Sequence, residues 1–89
     1  MRESCIECVL KHLGQASVLM DEALLGYPMH RYLAIGHMAE AESEAVAQWP
    51  GLSHRIRDER KVYEMESDVN MIELLEAADA VRRGEDAIL

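Results

Sequence analysis

With 89 residues, 49% of them hydrophobic, no Phe and one Trp, the chain has the composition of a single all-α domain, residues 1–89, and disfavours a β-rich fold. A formal charge of −8 at pH 7 repels phosphates, so direct nucleic-acid binding is not expected, and no apolar run is long enough for a signal peptide or a membrane span. A soluble, cytoplasmic protein is expected. Its size is near the limit at which one core supplies only a few kcal/mol, so a metal or a second subunit is expected to help.

Ser4 followed by Glu7 has capping-box spacing, which predicts a first helix from Cys5. Ile6, Val9, Leu13, Ala16, Met20, Ala23 and Leu24 keep a 3.6-residue period up to "GYP" at 26–28, where Gly26 can take a left-handed cap and Pro28 stops the helix. A second helix, Met29 to Trp49, carries Ala34, Gly36, Ala39, Ala41, Ala45 and Ala47 all round, which allows close neighbours on more than one side. "WPG" at 49–51 is expected to end it. The fold class is therefore an antiparallel helical hairpin plus a third segment, 52–83, that has neither Gly nor Pro and forms one long helix or two meeting near Ser67 and Asp68. Its second half, Val69, Met71, Ile72, Leu74, Leu75, Ala78 and Val81, has a broad apolar face that must close within the chain or across a homodimer; the homodimer is the expectation.

Chemistry concentrates in "SCIECVLKH" at 4–12. Cys5, Cys8 and His12 fall within about 60 degrees on one helix face, which is also the apolar face. Buried Cys often acts as a small inert hydrophobe, and a redox C-x-x-C normally follows a strand, of which none is predicted. Two cysteines in a cytosolic chain are expected to be reduced. Thiolate and imidazole are also the preferred zinc ligands, and C-x-x-C is their commonest pairing. Cys5 and His12 are separated by about 10 Å of helix rise, so one helix alone cannot enclose an ion. If the hairpin turns at Tyr27, His12 stands level with Ser43 and Glu44, and His37 lies too far from Cys8. The "WPG" corner then returns His54 toward the thiols. The expected zinc site is thus Cys5, Cys8 and His54, completed by His12 or Glu44.

His37, Glu40 and Glu44 share a face of the second helix, as metal-binding carboxylates of helical bundles do. Glu73 and Glu76 point away from the apolar stripe of their own segment, however, which makes them solvated charge. "ELLEAAD" at 73–79 contains both acid spacings that all-α nucleotide pyrophosphohydrolases use for magnesium, but on one helix instead of two. Glu42 projects among Ile35, Met38, Ala45, Val46 and Trp49 and needs a cation, from Arg31 or from an arginine of the third segment.

These residues lead to a small helical protein-interaction module with a structural or regulatory zinc site and an unknown protein partner. The alternative is a metal-free acidic helical adaptor or inhibitor of a basic or nucleic-acid-binding partner. A metal-dependent phosphohydrolase using His37, Glu40 and Glu44 is the third reading.

Overall fold

The computed structural model describes residues 5–65 and 68–84. Four helices follow in order: α1 (Ile6–Leu24), α2 (His30–Ala45), α3 (Pro50–Glu64) and α4 (Met71–Arg82). No strand occurs among the described residues, so the chain is all-α there, and the third segment is two helices. No helix among them is long and apolar enough to cross a membrane.

Each helix end has a local cause. α1 is capped by Cys5, whose Sγ accepts the Cys8 N–H at 3.1 Å; the expected Ser4 cap lies outside the described residues. At the other end Gly26, at φ +116, adopts the left-handed conformation that residues with a Cβ avoid. It lets Gly26 N–H reach Ala23 O and Tyr27 N–H reach Glu22 O, which closes a Schellman cap. The chain then coils again at once, with His30, Arg31 and Tyr32 donating to Tyr27, Pro28 and Met29. His30 Nδ1 stands 3.1 Å from Glu22 Oε1 and ties the two helices across the turn.

Two boundaries differ from expectation. α2 stops at Ala45, and Pro50 is not its terminator but the first residue of α3, where the missing proline N–H would have had no helical partner. The break in the third segment is fixed by Asn70, whose side chain accepts the Glu73 N–H at 3.1 Å, and Asp68 lies in the connection; Ser67 is outside the described residues. Asn70 wins because a helix from Met71 turns Met71, Leu74, Ala77, Ala78 and Val81 inward together.

The helices form a ring of neighbours. α1 lies beside α2, α2 beside α3, α3 beside α4 and α4 beside α1, and neither diagonal pair brings Cα atoms within 8 Å of each other. The buried stripe Ala34, Met38, Ala41 and Ala45, small at three of its four positions, gives α2 its two close neighbours. It meets Val9, Leu13, Ala16 and Met20 of α1 and Leu52 and Ile56 of α3 in one buried cluster that the α4 residues complete. The α4 stripe therefore closes within the chain, and Ile72 is its large member left outside, at 68% exposure.

Glu42 finds its cation in the third segment. Arg60 Nε and Nη2 donate to Glu42 Oε2 at 3.2 and 3.0 Å, and Nη1 donates to Glu64 at 2.7 Å. Burial alone would lower the Arg60 pKa; hydrogen bonds to Glu64 and Glu42 outweigh it and hold the guanidinium above its ordinary range. Arg31 instead covers the Tyr63 ring, 4.2 Å from its centroid, and donates to the Tyr63 carbonyl.

Leu13 and Leu74 are fully buried, so Leu13→Ala and Leu74→Ala should each lower the urea-unfolding free energy by about 2–5 kcal/mol. Ile72→Ala, on the exposed side of α4, should change it by less than about 0.5 kcal/mol.

Candidate metal centre

The α1–α2 hairpin decides which polar side chains meet. Because the chain recoils straight after Gly26, the register is tighter than a turn centred on Tyr27 would give. His12 meets α2 six residues earlier than Ser43, at His37, and the two Nδ1 atoms are 2.9 Å apart. Both imidazoles are half-buried, with ring centroids 5.2 Å apart and planes inclined by 32°. Two Nδ1 atoms at this distance share a single proton: one ring donates, the other accepts. His37 thus enters the site for which distance had excluded it. Its sequence signal is its place between Ala34 and Ala41, on the flank of the buried stripe.

One turn toward the N-terminus from His12, Cys8 lies on the same face of α1. It is joined to Cys5 in a disulfide with Cα atoms 5.1 Å apart, within ordinary disulfide range, where reduced thiols were expected. Both sulfurs belong to half-buried residues at the mouth of α1, below which the core begins at Val9. By the register of the histidine contact, Cys8 stands level with the fully buried Ala41 and Cys5 with the half-buried Glu44.

His54 is not brought to the thiols. It is exposed near the start of α3, which packs on α2 and α4 and does not touch α1. The "WPG" corner leads α3 away along the far side of α2, which is the physical reason that the expected Cys5, Cys8, His54 set does not assemble. No group of three or more His, Cys, Asp and Glu among the described residues is placed to hold an ion.

The chain matches no known protein family, curated protein or solved structure.

The carboxylates also separate. Glu40 is exposed, and α4, which carries Glu73, Glu76 and Asp79, makes no contact with α2. Glu73 pairs with Arg55 at 3.4 Å, and Asp79 lies with Arg82 and Arg83. A second cluster of metal-binding acids opposite His37 and Glu40 is therefore not formed among the described residues.

Since each imidazole is the other's hydrogen-bond partner, His12→Ala and His37→Ala should not be additive. A double-mutant cycle by chemical denaturation should give a coupling of about 0.5–1.5 kcal/mol, and additive losses would show that the contact is not made in solution.

Proposed function

We propose that the protein is a metal-binding helical interaction module, in which Cys5, Cys8, His12 and His37 hold a zinc-class ion once the cysteines are reduced. The observation that carries this is the 2.9 Å contact of two imidazole nitrogens from different helices, with Cys8 of the C-x-x-C pair one turn before His12 and Cys5 about two turns before it. Nitrogens about 2.0–2.1 Å from a common ion are about 2.9 Å apart at a right angle and about 3.3 Å apart in a tetrahedron, so a shift of a few tenths of an ångström admits zinc. Thiolates about 2.3 Å from the same ion are roughly 3.7 Å apart, which requires the sulfurs unbonded. Cys8 and His12, at i and i+4, have Cβ atoms roughly 5–6 Å apart, close enough for thiolate and imidazole to share an ion.

The partner face of the module is the apolar end of the hairpin, where Leu24, Leu25, Tyr27, Met29, Tyr32 and Leu33 are all exposed. A second copy of the chain is the proposed occupant, since a chain of this size gains core by pairing.

Protein purified under reducing conditions should contain one zinc per chain by elemental analysis and give the intense visible absorption of a tetrahedral site when cobalt replaces zinc. His12→Ala and His37→Ala should each weaken binding by at least about 100-fold, while His54→Ala leaves it unchanged. Sub-stoichiometric zinc in the reduced protein, or a His37→Ala variant that binds as well as the parent, removes the reading.

A further inference from the structure

We propose that the Cys5–Cys8 pair is a thiol–disulfide switch that loads and ejects the ion of this site; the proposal rests on the metal reading above and adds its regulation. A sulfur in a disulfide is no longer a thiolate, and the thiolate is the species that binds the metal. The disulfide-bonded chain still brings His12 and His37 together at 2.9 Å, so oxidation removes two ligands and leaves the other two poised. The fully buried core begins beyond the pair, at Val9 and Leu13.

The position of the pair suits it to exchange. Cys5 is the N-cap of α1, its Sγ receives the Cys8 N–H at 3.1 Å, and the positive end of the helix stabilises negative charge there. Both residues are half-buried, so each keeps part of its surface open to solvent.

The reaction balances with a low-molecular-weight disulfide as oxidant. One metal-bound thiolate attacks a sulfur of that disulfide, forms a mixed disulfide and expels the first small thiolate. The other cysteine thiolate attacks the protein sulfur of the mixed disulfide, closes the Cys5–Cys8 bond and expels the second. Two electrons pass from the cysteine pair to the oxidant, and the divalent ion leaves with only two imidazoles to hold it. Reloading is the reverse: a small thiolate attacks the Cys5–Cys8 disulfide, a second small thiolate resolves the mixed disulfide, and the freed cysteine thiolates bind the ion.

The test treats the full chain, reduced and loaded with zinc, with oxidised glutathione while a chromophoric indicator follows free zinc. One zinc should appear per Cys5–Cys8 bond formed, with two small thiols released, and the oxidised protein should bind zinc at least about 100-fold more weakly. Helical circular dichroism should persist throughout, and a dithiol should restore binding. A Cys5→Ser variant should show no zinc release coupled to Cys5–Cys8 closure, and its circular dichroism separates misfolding from loss of the switch. Zinc retained on a chain whose disulfide has closed overturns the switch and leaves the metal reading standing. A reduced chain that binds no zinc overturns both.

Discussion

The left-handed turn at Gly26 is the constraint on which the rest depends. It closes the end of α1 with two backbone hydrogen bonds and returns the chain into α2 within a few residues. The length of that return sets which residues of the two helices stand level. Were α2 to start a turn later, His37 would slide about 5 Å along α1 and lose His12. The same register lays the Ala34, Met38, Ala41, Ala45 stripe along the core, and the alanines let α1 and α3 approach it from either side. Packing and site geometry thus have one origin.

The polar groups sort themselves by what they can reach. Arginines of α3 and α4 neutralise Glu42, Glu64, Glu73 and Asp79, which occupies those carboxylates in structural pairs. The two imidazoles of the hairpin have each other, and the two sulfurs at the mouth of α1 have each other. The His12–His37 contact and the Cys5–Cys8 bond thus lie along one edge of the hairpin, with Glu44 level with Cys5. Magnesium and calcium need several converging oxygens, which the described residues do not bring together.

Much of the fold was legible in the sequence because its signals are local. Glycine at 26 and proline at 28 mark the hairpin, and the alternation of charge and apolar stripes after 52 marks a possible break. The exact caps were less legible. Asn70, and not Asp68, caps α4 because the inward face of α4 chose among several capable residues, and Pro50 reads as a stop or as a start until it is known where α2 ends. The register of the hairpin was not legible at all. It turns on how soon the backbone recoils after Gly26, and an error of six residues replaced His37 by Ser43 and Glu44 beside His12. His54 failed for a tertiary reason: a helix that leaves "WPG" can lie on either side of α2, and the small residues on α2 do not decide which. The redox state of the cysteines was judged from an assumed compartment, and composition holds no direct information on it.

The account stands on the claim that the hairpin register gathers two sulfurs and two imidazoles around one ion. X-ray absorption at the zinc edge of the reduced, zinc-loaded protein addresses that most directly. The prediction is a mixed shell of two sulfurs at about 2.3 Å and two nitrogens at about 2.0 Å. A shell of oxygen and nitrogen alone, without sulfur, would contradict it.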